Sequence, residues 1–200
     1  RRQFGASAIK AYEREKGSST TSSRSGARNR DNRGAHFNSN LRVRTVLTTP
    51  KPTWPDLNRS FVGMSMSANE RDQGVRVYSW EHSRAYKQAQ FQFSQAVASF
   101  DTQSLVALLR VFPWHVDTLL QLSAVSRYQG DLGQASDFID RALFAMERSA
   151  ASTFVSGLTS QTGPPMCDFL RAENRAFWLA VHRNIDLYGR KGTWRTALEW

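Results

Sequence analysis

Five side chains of this chain are the most able to do acid–base, nucleophilic or metal chemistry: His36, His82, His115, His182 and Cys167. A zinc site needs Cys and His clustered at short, set spacings, and these five are scattered. Cys167 and His182 make a Cys–His pair on paper. Cys167, however, lies in an insert over residues 148–170, rich in Ser, Thr and Gly, with no supporting motif around it. Glu81 and His82 put an acid beside a base where a helix is expected to open. Adjacent residues on a helix point in different directions, so capping or packing suits this pair better. His115 and Asp117 follow Pro113 and Trp114 at a helix start. His115 is expected to be a structural turn residue, hydrogen-bonded to a neighbouring carbonyl. The phosphate loop, the dinucleotide fingerprint and the nucleophile elbow have no match. No catalytic residue, metal, cofactor or small-molecule substrate is assigned.

The elements that would position these residues are helical. From Tyr86, apolar residues recur at Ala89, Phe93, Ala96, Val97 and Phe100, and Asp101 then suits an N-cap. The next helix carries Leu105, Leu108, Leu109 and Phe112 on one face, and Pro113 ends it. Val116, Leu119, Leu120, Ala124 and Tyr128 form a further face. After Gly130 and Asp131, so do Leu132, Ala135, Phe138, Ile139, Ala142, Leu143 and Met146. The string GDLGQASDFIDRAL matches the second half of a tetratricopeptide-type repeat, although Ser126 stands where an aromatic is usual. An ordinary antiparallel helix pair fits the same pattern. A second partial copy, Gly192, Trp194, Ala197 and Leu198, follows the stripe Phe177, Ala180, Val181, Ile185 and Tyr188. In the insert, Phe154, Val155, Leu158, Met166 and Phe169 are apolar enough to pack back onto the body. The fold class expected is all-α, with repeat-like, tetratricopeptide-like hairpins over residues 81–200.

Residues 45–80 read as an extended connector. Pro50, Pro52 and Pro55 exclude a helix there, and Trp54 between them is expected to dock on the helical body. Val75, Val77 and Tyr78 form a short alternating run, a strand or an extended lead-in. Residues 1–44 hold eleven of the 27 Lys and Arg but three of the 17 acids, so the net charge of +10 belongs mostly to them. Between Gly17 and Asn40 there is almost nothing apolar, and a disordered basic arm is expected. Arg24, Arg28, Arg30 and Arg33, with Arg42 and Arg44 after them, are free to track phosphates. A solvated linker and a nuclear import signal are the other readings of the arm. No apolar run approaches the roughly 18 residues of a membrane span. A lone cysteine suits a reducing compartment. A chain that starts on Arg1 and stops at Trp200 within a helical pattern is expected to be a fragment of a longer protein.

Four segments, in order, resemble one family. They are TPKPTWP around Trp54, EHSRAYKQAQFQF from Glu81, LLRVFPWHVDTLLQLS from Leu108, and RAENRAFWLAVHRNIDLYGRKGTWRTALEW from Arg171. Together they are similar to the family that contains transcription factor 25 and ribosome quality control complex subunit 1. The resemblance implies a non-catalytic subunit of ribosome-associated quality control. Such a subunit binds 60S ribosomal particles with a stalled nascent chain and works with a listerin-like RING ligase, ubiquitin and the p97/Cdc48 ATPase. It implies a cytoplasmic, ribosome-associated location, with the nucleus as an alternative. The family's other name implies a second reading, a nuclear repressor-like regulator of DNA or chromatin. Trp54, Pro113, Trp114, His115 and Asp117 are expected to serve structure or an interface, and the arm to add rRNA affinity.

Replacing Arg24, Arg28, Arg30 and Arg33 with Ser removes four candidate phosphate contacts. Co-sedimentation with 60S particles over a salt series should weaken, and the slope of log K against log salt should fall by roughly 3. An unchanged slope would remove the arm from the binding reaction.

Overall fold

The computed structural model describes residues 39–57, 63–71, 75–160 and 165–200. A 3-10 turn, Ser39–Arg42, comes first. Three strands follow in the chain: β1 (Met64–Arg71), β2 (Val75–His82) and β3 (Met166–Cys167). The helices are α1 (Arg84–Ala98), α2 (Thr102–Val111), α3 (Val116–Tyr128), α4 (Leu132–Ser149), α5 (Ser152–Leu158), α6 (Ala172–Arg190) and α7 (Trp194–Glu199).

Local chemistry explains the helix boundaries. Side-chain acceptors cap four of them: Ser83 takes the Tyr86 N–H, Asp101 takes Gln103 and Ser104, His115 takes Thr118, and Asp131 takes Gln134. The turns after α3 and α6 are alike. Gly130 (φ 84°) and Gly192 (φ 73°) are left-handed. The next N–H in each turn, Asp131 or Thr193, bonds back to Ser126 or Tyr188 at 2.9 and 3.0 Å. This is the Schellman closure that a Cβ at the glycine would strain.

The core gathers on α4. Six consecutive residues, Ala142 to Glu147, are buried. Ala135 and Ile139 line the seam where α3, α4 and α6 meet, and Ala142, Leu143 and Phe144 are fully buried. Trp80 and Tyr78 of β2 pack on Phe154 of α5 at 5.5 and 5.3 Å, and Trp80 on Phe177 of α6 at 4.9 Å.

Several expectations need correction. The fold is mainly helical, but a three-stranded sheet of order β1-β2-β3 sits within the expected connector and insert. β1 pairs antiparallel with β2 from Met64↔His82 to Arg71↔Val75, and β3 runs parallel to β2. The strand β1, MSMSANER, has few branched or aromatic residues, so its own pattern does not announce it. Glu81 and His82 close β2 instead of opening a helix. Cys167, read as part of a polar insert, is buried in β3, opposite Tyr78. Phe100 and Tyr128 lie on expected inner faces but are 97 % and 86 % exposed. Met166 and Phe169 also face outward. Asn40, inside the expected arm, is buried and clasps the connector, donating to the Pro55 carbonyl at 2.8 Å and accepting the Leu57 N–H at 3.1 Å.

Asn174 joins sheet to helices. It is fully buried near the start of α6, accepts the Trp80 N–H at 2.9 Å, and donates to the carbonyls of Asp168 (2.8 Å) and Tyr78 (3.4 Å). Asn174→Ala would leave these buried groups unpaired, at a cost of about 2 kcal/mol or more, or roughly 6 °C in Tm for a chain of this size. Calorimetry checks the loss. Asn174→Asp keeps only the acceptor, so the Trp80 amide should stay protected from exchange in that variant and not in the alanine one.

Candidate functional site

The structure brings together Trp54, Pro113 and Trp114. Trp54 and Trp114 meet edge to face at 6.1 Å, and both pack on Phe144 of α4, at 5.6 and 5.5 Å. The Trp54 indole N–H donates to Asp137 at 3.0 Å. Arg141 donates to the Pro113 carbonyl at 2.7 Å and lies 5.5 Å over the Trp114 ring. Trp54 and Trp114 are buried and Pro113 is half-buried.

The connector around Trp54 is laced to α4 by polar contacts. Buried Glu147 accepts the backbone N–H groups of Val46 and Leu47 at 2.5 and 3.0 Å. Lys51 pairs with Asp137 (2.8 Å) and Asp140 (3.3 Å), and Thr48 donates to the Asp140 carbonyl. Glu147 therefore anchors backbone, and sequence reasoning did not single it out.

His115 is fully buried and caps α3. Its Nδ1 takes the Thr118 N–H at 3.4 Å and lies 2.8 Å from the Thr118 hydroxyl. The expected carbonyl partner is replaced by a backbone donor, because the side chain sits at an N-cap. That arrangement puts the neutral ring's proton on Nε2, which has no acceptor among the described residues. The ring stacks on Tyr86 at 4.8 Å, and Tyr86 on His82 at 4.3 Å. Burial, with the nearby His82, lowers the His115 pKa to about 4. Burial lowers His82 and raises Asp117 as well. At neutral pH the two rings are neutral packing surfaces.

Arg24, Arg28, Arg30 and Arg33 lie outside the described residues. Arg42 ends the 3-10 turn, and Arg44 is exposed beside it. Burial, and next the Asp168 charge, raise the Cys167 thiol to about 11, so it is a poor nucleophile. Among the described residues, no three His, Cys, Asp or Glu side chains are grouped to hold a metal ion. None of the helices there is long and apolar enough to cross a membrane.

Two surface features fell outside the sequence reading. An apolar groove of about 250 Å3 lies between the end of α1, α2 and α3, lined by Ala96, Val97, Phe100, Leu105, Gln121 and Val125 among others. Phe100 stands beside it in a left-handed conformation (φ 52°), a strained position for a bulky residue. The signal for this was present: a phenylalanine at the helix C-terminal position where glycine is usual, directly before the Asp101 cap. The second feature is a polar pocket of about 220 Å3 on the outer sheet face, lined by Asn69, Val77, Ser79, Asp168 and Arg171, with Arg171 donating to the Ser79 hydroxyl. Both features suit binding; neither gathers an acid, a base and a nucleophile.

Comparison with known proteins points to one family. Residues 78–200 match a family model described as transcriptional repressor TCF25. The chain is 42 % identical over 156 residues to the human protein named ribosome quality control complex subunit TCF25, covering 78 % of this chain and 22 % of that protein. It is 33 % identical to ribosome quality control complex subunit 1 of Schizosaccharomyces pombe, over 80 % of this chain and 24 % of that one. A probable transcription factor claV of Ampulloclitocybe clavipes is 36 % identical over 100 % of this chain and 25 % of its own length. The chain thus spans about a quarter of the length of these relatives. No solved structure matches it.

The buried His115 makes stability depend on acid. Its folded pKa of about 4 lies below the 6.5 of a free ring, so between these values the unfolded chain binds a proton that the folded chain refuses. Stability should be full above pH 6.5 and fall as the pH drops toward 4, by about 3 kcal/mol at most. His115→Asn keeps a side-chain acceptor for the Thr118 N–H and should flatten most of this slope in denaturant titrations across that range. The lowered His82 acts in the same direction, and Asp117, raised by burial, opposes it.

Proposed function

The chain belongs to the TCF25 family, and from that premise we propose that it is part of a non-catalytic subunit of ribosome-associated quality control. In this reading the full-length protein acts on 60S particles that hold a stalled nascent chain. It assists ubiquitination of that chain by a listerin-like RING ligase and its extraction by a p97/Cdc48-type ATPase. The observation that carries the reading is that the human and fission-yeast relatives, both similar along roughly four-fifths of this chain, are named as ribosome quality control complex subunits. The geometry is compatible with it. In the described body Lys51, His115, Asp137, Arg141 and Glu147 serve a helix cap, packing and the lacing of residues 46–54 to α4, and a groove lies between α1, α2 and α3. The helical body supplies the protein-binding surfaces, and Arg24, Arg28, Arg30 and Arg33, with Arg42 and Arg44, supply phosphate-backbone affinity for rRNA. The location that follows is cytoplasmic and ribosome-associated.

A second reading, a nuclear regulator binding DNA or chromatin partners, draws on the family model's description as a repressor and on the relative named as a probable transcription factor. It requires a DNA-reading element. A helix that enters the major groove presents several polar or basic side chains to base edges. The exposed residues of α1 include Arg84, Lys87, Gln88 and Gln92, but Phe91 and Val97 lie exposed among them.

Affinity purification of the full-length protein followed by mass spectrometry separates the two. The quality-control reading expects 60S ribosomal proteins and a RING ligase to co-purify, with enrichment rising when translation is stalled. Recovery of chromatin proteins without ribosomal ones would overturn it. On the repressor reading, one oligonucleotide should bind at least about 1,000-fold better than scrambled DNA.

A further inference from the structure

The hydrogen bonds of the sheet can be followed group by group. Ser83 N–H donates to the Gly63 carbonyl at 3.3 Å, one step beyond the Met64↔His82 pair. Antiparallel pairs alternate between bonded and non-bonded. The bonded pairs are therefore the odd residues of β1: Ser65, Ser67 and Asn69 face Glu81, Ser79 and Val77. On β2 the even residues must then point away from β1. They do: the Trp80 N–H and the Tyr78 carbonyl are taken by Asn174, and β3 lies alongside Val77 and Tyr78. That edge is closed.

On β1 the same parity points the N–H and C=O groups of Met66 and Ala68 away from β2. Among the described residues, no strand lies on that side and no hydrogen bond reaches these groups. Met64 is buried, Met66 half-buried, and Ser65, Ala68 and Asn69 exposed, so the edge opens at Met66. The usual protections of a strand edge are proline, charged side chains and a bulge. Glu70 and Arg71 end the strand, but from Met64 to Asn69 there is no proline or charged residue, and the register runs without a bulge through all eight pairs.

We propose that the outer edge of β1 is a strand-addition site for an extended segment of a partner polypeptide in which apolar and small polar residues alternate. The occupant follows from the groups on offer. Donor and acceptor pairs two residues apart along a strand repeat at about 6.8 Å, and an extended backbone carries the matching set. A helix uses its donors and acceptors internally. On one face, an added strand lies beside Met66 and Ala68, continuing the side that bears Trp80 and Tyr78, so apolar side chains fit there. On the other face it lies beside Ser65, Ser67 and Asn69, where hydroxyl and amide side chains fit. This surface is independent of the ribosomal reading: an edge that fails to bind leaves that reading untouched, and the reverse also holds.

The probe is a soluble nine-residue peptide in which valine alternates with serine between terminal lysines, added to the intact 200-residue chain. NMR hydrogen exchange should find the Met66 and Ala68 amides exchanging freely in the chain alone. With peptide they should be protected at least about tenfold, while Asn69 is protected throughout. Ala68→Pro deletes one outward N–H and leaves the bonds to β2 in place, so it should weaken peptide binding at least about tenfold with an unchanged Tm. Should that variant unfold, a peptide N-methylated at every valine and serine has no backbone donor on either edge along that stretch, and it should not bind the unaltered chain. Amides already protected in the isolated chain at every concentration would overturn the proposal. So would protection that rises with protein concentration alone, which marks a second copy as the occupant, and so would full binding of the N-methylated peptide.

Discussion

A helical stretch that is buried on every side has to be enclosed before it can be stable, and residues 142–147 of α4 impose that demand on this fold. From Ala142 to Glu147 no side chain reaches solvent appreciably. A helix normally buries one stripe and solvates the rest. Here α3 and α6 cover two sides, the aromatic pair Trp54 and Trp114 covers a third, and the sheet with α5 approaches from the end. Glu147 sharpens the demand, because a carboxylate in such a place must be hydrogen-bonded. Its partners are the backbone N–H groups of Val46 and Leu47. The proline-rich segment that reads as a linker is therefore one wall of the core.

That arrangement explains what the sequence disclosed and what it withheld. Caps and stops act over three or four residues, so Asp101, Pro113, Gly130 and Asp131 marked helix boundaries that the structure places within a residue or two. Trp54 stood out because a large aromatic between prolines has few ways to avoid water other than docking. The family membership was legible from PWHVDTLLQLS and ENRAFWLA for the same reason: these strings hold the Trp114 and His115 cap and the Asn174 and Phe177 contacts. What stayed hidden was long-range. β1 is a strand because β2 lies beside it, and its own Ser, Asn and Glu residues argue weakly for any element. Glu147 drew no notice in the sequence, since its partners are backbone groups about a hundred positions earlier. Phe100 and Tyr128 had the right periodicity, but periodicity fixes the angle between residues on a helix and not which side meets a neighbour.

The histidines illustrate how a chemically suggestive residue can be absorbed by packing. His115 looked like a turn residue and is an N-cap, but it is also the floor of a stack with Tyr86 and His82. A serine or asparagine would cap the helix as well. An imidazole adds an aromatic face that fills the space under Tyr86, whose hydroxyl in turn takes the Val116 N–H at 3.2 Å. One side chain thus ends a loop, starts a helix and completes a hydrophobic contact, fully buried and out of a substrate's reach.

The lacing of Val46 and Leu47 to Glu147 spans 101 and 100 positions of chain, and this has a consequence for synthesis. A ribosome adding about 5–20 residues per second needs roughly 5–20 s to go from one end of that contact to the other. Throughout that interval the connector and Trp54 have emerged without their wall. Helices α1 to α3 can form from local contacts, but the core can close only when the last turn of α4 has left the exit tunnel. The order of assembly is thus set by topology: the N-terminal wall of the domain is made first and waits for α4, with α5 and α6 still to follow.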